Sequence, residues 1–548
     1  MLKRLLHKES KTIFSAASIL VVAGLASRLL GLVRDRLLAG RFGAGDELDI
    51  YFAAFRLPDL IFNILIIGAI SSAFIPVFAT YFHKNKKEAW RLVSGVLNSA
   101  LLLLIVAAGI LVFFAPQLMH LIAPGFSGVK REMTILLTRI MFLSPILLGI
   151  SSILSGVLQY FHRFLVYSLA PIMYNVGIIF GILFFVPNFG LVGLAWGVVL
   201  GAILHMLIQL PSTIYSGFKW QPVLDIFHKG VHKIIKLMIP RTIGLAGLQL
   251  NLVVITAIAS TLASGSIAIF NLANNIQYLP IGIFGIAFAT AVFPGFAKAF
   301  AVKNKRSFSR DFSSTFSQIL FLIIPLSVLF FILRAQIVRV ILGTGEFGWL
   351  DTRLTAAALG IFSFSIFAQS LIPLISRAFY AFHNTRTPVL VSLASIALNI
   401  LLSFIFIRSL ASANAFSFLI SDMLKLQDIH EFAILGLPLA FSLANIINFA
   451  ILLKLFAKKI NWWQPKYIWK SFLRIIIATS LAGFFTYSLL YVLNLFLDTR
   501  TFIGIFLQAA LAASGGIIMY CLAMFLLGSP EIKGIVKKIN SGIIFLRK

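Results

Sequence analysis

The sequence predicts an all-α integral membrane protein with fourteen transmembrane helices, and three observations support this fold class. Of the 548 residues, 60% are hydrophobic and 11% are charged, whereas a soluble protein averages about 25% charged residues. The mean hydropathy is +1.00. The apolar residues form long runs, each near the roughly 20 residues that an α-helix needs to cross a bilayer.

Charged residues and Pro/Gly-rich breaks divide the apolar runs into fourteen predicted spans. These are 13–38, 50–80, 93–115, 133–159, 166–187, 191–211, 235–260, 267–297, 311–333, 354–380, 387–410, 433–456, 470–494 and 502–527. The shortest break is "PNFG", between spans 5 and 6. The N-terminal segment has the charge order of a signal peptide but runs directly into an Arg-rich stretch, so we expect a retained first helix.

The charges of the loops predict the orientation. Lysine and arginine concentrate in the N-terminal segment, in the loops after spans 2, 6, 8 and 12, and in the C-terminal tail. Because cytoplasmic loops carry the excess of positive charge, both termini are predicted to be cytoplasmic. This placement explains most of the net charge of +29 without a nucleic-acid partner.

An internal repeat indicates two related halves. Three pairs of segments match in the same order: 69–76 with 287–294, 160–175 with 381–399, and 193–205 with 436–448. The repeat spans six helices, and an even number leaves both halves in the same orientation, as in transporters with a central cavity. We therefore predict an N-terminal lobe over 1–230, a C-terminal lobe over 231–460, and a helix pair with a basic tail over 461–548.

Charged residues inside apolar spans are the strongest sign of function, because burying each one costs at least about 2.5 kcal/mol. The candidates with apolar flanks are Arg28, Arg34, Arg56 and Arg241. A positive cavity suits an anionic substrate, and the arginine fork fits phosphate or pyrophosphate. The alternative also stands: these arginines reach headgroups at the interface or pair locally, Arg34 with Asp35 and Arg56 with Asp59. For Arg36, Arg41, Arg377 and Arg386, near span ends, we favour that alternative.

The sequence offers no constellation for catalysis or metal binding. The single cysteine, Cys521, lies in an apolar run, and the histidines are scattered. His205 in span 6 is interpreted as a packed or cavity histidine. There is no Walker A loop and no GxSxG motif. The outer loops near 334–353 and 411–432 hold only a few carboxylates, which form no constellation typical of a membrane glycosyltransferase: Glu346, Asp351, Asp422, Asp428 and Glu431. We expect a transporter without cofactor or metal, driven by an ion gradient, the membrane potential or the substrate gradient.

Four stretches resemble the MurJ (MviN) family of lipid II flippases, in the multidrug/oligosaccharidyl-lipid/polysaccharide exporter superfamily. The most specific is "SRLLGLVRDRLLAGRFGAGDELDIYFAAFRLPDL" at 27–60, and the others lie at 68–81, 262–294 and 376–389. The resemblance implies two six-helix lobes, a C-terminal helix pair, and outward flipping of undecaprenyl-pyrophosphate-linked disaccharide-pentapeptide. A cationic cavity would take the head group while a lateral gate admits the lipid tail.

The resemblance also assigns candidate substrate-binding residues. The family's motif residues fall on Ser27, Arg28, Arg34, Asp35 and Asp49. Where relatives carry charges, this chain has Phe62 with Asn63, Ile67, and Asn274 with Asn275. Asn274 and Asn275 are kept as candidates, and Arg56 and Arg241 are expected to compensate for the missing charges. No sodium site is assigned.

The expected setting follows from this resemblance. The chain would be a monomer in the bacterial cytoplasmic (inner) membrane, with lipid II and membrane lipids as ligands and proteins of cell-wall synthesis as candidate partners. The missing charges leave an alternative open, in which the chain exports another undecaprenyl-linked oligosaccharide, such as an O-antigen or teichoic precursor. A multidrug antiporter is disfavoured, because cationic drugs would require net acid in the cavity.

Overall fold

A computed structural model describes residues 13–64, 74–225, 228–429, 431–459 and 465–533. Within these ranges the regular structure is helical and contains no strand, so the predicted fold class is confirmed. Packing divides the chain into two units. The first comprises Met1–Ala268 with Gly345–Phe347, and the second Ile269–Thr344 with Gly348–Lys548.

The helices up to residue 260 belong to the first unit. They are α1 (Ile13–Phe42), α2 (Asp46–Ala54), α3 (Arg56–Phe62), α4 (Ile75–Lys84), α5 (Lys86–Phe113), α6 (Ala115–Ile122), α7 (Gly128–Met141), α8 (Leu143–Tyr160), α9 (Phe164–Phe180), a π-helical turn (Gly181–Phe185), α10 (Val186–Leu207), α11 (Leu210–Tyr215) and α12 (Lys229–Ser260). Because α12 packs against α3, α5 and α6, the first unit extends past residue 230. The division by repeat at 230 stays a prediction.

The next helix, α13 (Ser266–Pro280), begins in the first unit and continues in the second. The remaining elements are a π-helical turn (Ile281–Ile286), α14 (Ala287–Ala301), α15 (Lys305–Ile332), α16 (Arg334–Ile341), α17 (Trp349–Ser363), α18 (Ile366–Ala381), α19 (Arg386–Ala411), α20 (Ala415–Leu424), a 3-10 turn (Ala433–Leu435), α21 (Gly436–Lys459), α22 (Pro465–Leu493) and α23 (Phe502–Leu526).

The described part of the chain contains nine helical segments long and apolar enough to cross a membrane, and a tenth if α17 and α18, bent by 45°, form one span. One segment, Phe164–Tyr215, covers predicted spans 5 and 6. It breaks at Gly190, whose φ of 55° requires glycine. Predicted spans 1, 2 and 7 each include positions that are not fully described. The count of fourteen is compatible with these helices and stays a prediction.

Small residues let α9 and α10 approach closely. A Cβ added to Gly197 would lie 2.8 Å from Cα of Gly181, and one added to Gly177 would lie 2.3 Å from Cα of Gly201. Glycines spaced four residues apart bring helix backbones together in membranes, where packing rather than the hydrophobic effect drives association. The α9–α10 hairpin is therefore closely packed.

The segment between α11 and α12 is bound along α5. Asn98 donates its Nδ2 to the carbonyls of Gln221 and Val223, at 2.8 and 2.9 Å. Nearer the start of α5, His228 Nε2 lies 2.8 Å from Glu88 Oε1. These bonds fix the point at which the chain enters α12, which carries Arg241.

Candidate functional site

The arginine-rich part of α1 forms a polar site inside the first unit. Arg34 donates Nε and Nη2 to one carboxylate oxygen of Asp35, at 3.0 and 2.8 Å. Its Nη1 donates to Oδ1 of Asn175 on α9, at 3.2 Å. The side chains of Arg34 and Asp35 are only 22% and 4% exposed. The local pair considered from the sequence therefore exists, and a third polar residue completes it.

Asn175 connects this pair to Ser27. Its Nδ2 lies 3.3 Å from the carbonyl oxygen of Ser27 and 3.5 Å from its hydroxyl. Ser27, Gly31 and Arg34 share one face of α1 because they lie four and three residues apart. A Cβ on Gly31 would lie 4.0 Å from Asn175 Oδ1, so this face meets α9 directly. Arg28, the other predicted residue of this segment, is half-buried on the same helix.

Sequence reasoning did not include Asn175 among the candidates. A signal was present, because Asn175 is the last residue of the repeat segment 160–175, opposite Asn399 in the second copy. A polar residue at the same place in both copies, inside a predicted span, is costly unless it has partners.

Asp49 is buried, and its carboxylate is bound by two backbone N–H groups and a lysine. Its carboxylate accepts the backbone N–H of Gly265 at 2.8 Å and of Ala268 at 2.9 Å. Lys130 Nζ lies 3.3 Å away. These amides belong to the start of α13, so Asp49 satisfies donors that a helix N-terminus leaves free and suits its positive end. The geometry indicates a positioning role.

Arg56 is buried between α3 and α12. Its Nε donates to the hydroxyl of Thr256 at 2.7 Å, and Asp59 is near enough to act on it electrostatically. The Thr256 hydroxyl in turn donates to the carbonyl of Leu252 at 2.8 Å. Arg241 also lies on α12, but its side chain is outside the described part of the structure, as is Ile67 altogether.

The second unit places one candidate residue, Asn274, in a neutral hydrogen-bond network. Oδ1 of Asn274 accepts Nε2 of Gln277 at 2.9 Å. Oε1 of Gln277 accepts Nε2 of Gln369 at 3.1 Å, and Gln369 also donates to Ser365. Asn275 lies on α13 between Asn274 and Gln277. The network is made of amides and hydroxyls, which bind sugars or peptides by hydrogen bonds rather than by charge.

One arginine of the second unit forms a hydrogen bond with the backbone. Arg377, expected at the membrane interface, donates Nη1 to the carbonyl of Ile286 at 3.3 Å and to the Thr290 hydroxyl. Ile286 ends the π-helical turn, where the regular helical bonding is interrupted. Among the described residues, no group of three or more His, Cys, Asp or Glu is arranged to hold a metal ion.

Comparison of the sequence with known families and proteins gives one consistent match. The profile of the family described as "Lipid II flippase MurJ" matches residues 38–507. A "Probable lipid II flippase MurJ" of Buchnera aphidicola subsp. Acyrthosiphon pisum is 29% identical over 520 residues, covering 92% of this chain and 95% of the relative. The relative from Vibrio cholerae is 31% identical over 412 residues, covering 72% and 78%. The "Lipid II flippase MurJ" of Burkholderia cenocepacia is 25% identical over 475 residues, covering 85% and 88%.

Solved structures show the same fold. A lipid II flippase MurJ in an inward closed conformation superposes with a TM-score of 0.73 at 24% identity, covering 94% of this chain and 99% of that one. An inward-facing multidrug resistance transporter of the MATE family superposes with a TM-score of 0.64 at 13% identity, covering 79% and 94%. This chain therefore shares its helical fold with both of these structures.

Proposed function

The chain belongs to the lipid II flippase MurJ family, and on that premise we propose that it moves lipid II from the inner to the outer leaflet of the cytoplasmic membrane. The family profile covers 470 of the 548 residues, so the resemblance seen in the sequence is confirmed. The protein is a transporter and not an enzyme. Because moving a lipid-linked sugar needs no covalent step, what this chain must supply is a binding site whose access alternates between the two sides.

The observation that carries the proposal is the site formed by Ser27, Arg34, Asp35 and Asn175. Arg34 is almost buried, yet Asp35 offsets its charge and Asn175 satisfies a further donor. A guanidinium held in this way is preorganised, and an incoming pyrophosphate can take over donors now used by Asn175. Asp35 and Asn175 thus stabilise the Arg34 guanidinium inside the membrane.

We assign a different role to each group of the remaining candidates. Arg28 and Arg56 supply positive charge, and Arg241 compensates for the charges missing at Phe62, Ile67 and Asn275. Asn274 and Asn275 contribute neutral hydrogen-bonding groups. Asp49 acts by positioning, since its carboxylate is bonded to the start of α13. Arginine outnumbers acid in this set, which favours an anionic head group.

The finer arrangement is also proposed. The lobes would be 1–230 and 231–460, with 461–548 as an appended helix pair and tail, and the chain would act by alternating access. Both termini would face the cytoplasm of a bacterial cell, and the chain would function as a monomer, with proteins of cell-wall synthesis as candidate partners.

Depletion complementation tests the function. The chain is expressed in a bacterium whose own lipid II flippase is switched off, and the lipid-linked precursors are identified by mass spectrometry. We expect growth to be restored and lipid II to become accessible on the outer leaflet. Failure to restore growth, together with export of a different undecaprenyl-linked oligosaccharide in its native host, would replace lipid II by that substrate.

A further inference from the structure

The two copies of the internal repeat differ in the connection between their last two matched segments. This connection holds 17 residues in the first copy, at 176–192, and 36 residues in the second, at 400–435. The first copy turns sharply at Gly190, whereas the second contains an additional helix, α20 (Ala415–Leu424). Because the first copy makes the same connection in about half the length, α20 is not needed to join the two spans. Its surface indicates another role.

The polar and apolar sides of α20 are reversed relative to those of a helix in water. Ser417 and Ser421 are only 5% and 7% exposed, whereas Phe418, Leu419 and Met423 are 66%, 55% and 53% exposed. At about 100° per residue, the three apolar side chains lie on one side of the helix, centred roughly opposite the two serines. A surface helix of a soluble protein turns its apolar stripe to the core and its polar residues to water. The reversed order is the one expected where the surroundings are lipid.

Hydrogen bonds at both ends hold α20 in this orientation. At its start, Asn414 caps the helix and donates Nδ2 to the carbonyl of Ser409, in the last turn of α19, at 2.6 Å. Past its end, Arg353 of α17 donates to the carbonyl of Lys425 and to the carboxylate of Asp428. Both ends are therefore bound to neighbouring helices of the second unit, and the apolar side is held outward.

The place of α20 in the chain puts it at the membrane surface. The preceding helix, α19, is long and apolar enough to cross a membrane, and it exposes large apolar side chains such as Leu401 and Phe404. Only three residues separate its end from α20. At no more than about 3.6 Å per residue, they keep α20 close to that end. The bilayer is therefore the partner that this surface meets.

The length and composition of α20 fit a helix that lies in the plane of the membrane. With 10 residues, it has about half the 20 residues needed to cross the hydrocarbon core. Helices of this kind bury an apolar side at the boundary between headgroups and acyl chains. One acid, Asp422, also lies on the exposed side, in the last turn. Its carboxylate accepts Nε2 of Gln427 at 2.9 Å, which keeps it at the watery end of the helix.

We propose that α20 is an interfacial anchor whose exposed side, formed by Phe418, Leu419 and Met423, inserts among the lipids at the end of α19. In the predicted orientation, with both termini cytoplasmic, these lipids belong to the outer leaflet. The anchor sets the depth at which α19 ends, and the bond from Arg353 extends this hold to α17. The inference goes beyond the proposed function, because it does not depend on which lipid-linked substrate is moved.

Fluorescence quenching by labelled lipids tests the anchor. The single cysteine is removed by C521S, and F418C, L419C or E431C then carries a nitrobenzoxadiazole fluorophore in the full-length chain. Glu431 is the matched control, because it is an exposed, charged residue of the same connection. The variants are reconstituted in phosphatidylcholine liposomes that contain nitroxide-labelled lipids.

We expect the lipid nitroxide to quench the F418C and L419C labels. The loss of fluorescence should be greater when the nitroxide lies near the headgroup than near the chain end, because interfacial helices lie only about 5–10 Å into the membrane. The E431C label should instead be quenched by aqueous iodide. Should C521S fail to fold, the same cysteines are introduced into the wild-type chain, and the signal of label on Cys521 alone is subtracted.

Two results would overturn the anchor. Quenching of the F418C and L419C labels by iodide alone, as at E431C, would place this side of α20 in water. Protection of both labels from iodide and from lipid nitroxide would show that protein covers the surface, either a second copy of the chain or another partner. The leaflet is tested in spheroplasts, where E431C should react with a membrane-impermeant maleimide. Absence of that reaction, with reaction restored after lysis, would contradict the assignment to the outer leaflet.

Discussion

The two units have matching backbone conformations at the ends of some helices, but their buried polar residues differ. His162 and His383 both follow a phenylalanine at the end of a helix, and both adopt a positive φ, 54° and 55°. Asn85 and Asn304 both cap the N-terminus of the next long helix with their side chains. The repeat is therefore visible at corners, where backbone geometry restricts the choice of residue.

The interiors diverge at the polar sites. The first unit holds Arg34 against Asp35 and Asn175, whereas the second unit joins Asn274 and Gln277 in a neutral network. A buried ion pair and a buried amide network cost different amounts to disturb, because only the first leaves an uncompensated charge when one partner is removed. This difference supports the proposal that the first unit recognises the charge of the substrate.

The largest expected effect follows from R34Q, which removes the arginine that pairs with the buried carboxylate of Asp35. Removing one partner of a buried pair costs about 3–5 kcal/mol of unfolding free energy. We expect a lower thermal unfolding temperature in detergent and a loss of complementation. R36Q, on the same helix, is the control and should have a much smaller effect on both.

The double variant R34Q/D35N separates stability from binding. It removes both charges, so much of the lost stability should return, while lipid II transport should not. Recovery of transport in the double variant would show that the pair is structural and would weaken the contrast between the units.

A smaller effect is expected from G197A, although the second unit has alanine at the matching position, Ala440. The added Cβ would lie 2.8 Å from Cα of Gly181, so α9 and α10 must separate. Overpacking of this kind costs about 1–3 kcal/mol. The measurement is thermal unfolding, with G109A as control, because a Cβ at Gly109 meets no atom within 4 Å. Equal stability of the two variants would contradict the close approach of these helices.

D49N should destabilise the first unit by about 1–3 kcal/mol, the cost of leaving a buried polar group unsatisfied. In the variant, the side-chain NH2 of the new asparagine would face the backbone N–H of Gly265 or Ala268, so two donors would meet. The ion pair with Lys130 would also be lost. D46N is the matched control, because Asp46 shares Lys130 but is 54% exposed. Thermal unfolding of both variants checks the prediction, and a larger loss in D46N would refute it.

The smallest effect is expected at an ion pair of the second unit that joins Arg353 of α17 to Asp428. Arg353 donates two N–H groups to the carboxylate of Asp428, at 2.5 and 2.6 Å, and holds the pKa of that carboxyl below its ordinary value. A group whose pKa is lowered by folding stabilises the fold above its unfolded pKa, and this stabilisation is lost as the pH falls through the folded pKa. Wild type should therefore unfold at a slightly higher temperature than D428N at pH 7, and the two should converge in acid. A difference that persists in acid would exclude the ion pair as its cause.

Much of the fold could be predicted from the sequence, because in lipid every backbone group must be satisfied within the chain and long apolar runs must therefore be helical. The break at "PNFG" is found at Gly190. The arginine-rich stretch of α1 was identified as a site because charge is expensive in an apolar helix.

The partners of those charges could not be predicted from spacing alone. Asn175 lies 141 residues from Arg34, and Asp49 reaches amides more than 200 residues away. Such contacts depend on how helices pack, and backbone donors have no sequence signature. The sequence predicts a packed or cavity histidine at His205, but its hydrogen bond with Ser151 appears only when α8 and α10 are side by side.

Lipid II binding to R34Q and N274A is the most direct test of the claim that the first unit recognises the charged head group. Native mass spectrometry of the purified full-length variants gives the dissociation constant for each. A hydrogen bond to a charged group contributes about 1.5–3 kcal/mol. Its loss therefore weakens binding by about tenfold or more. We predict that loss for R34Q and a change of less than about threefold, under 1 kcal/mol, for N274A. Normal binding by R34Q with a large loss in N274A would contradict the account.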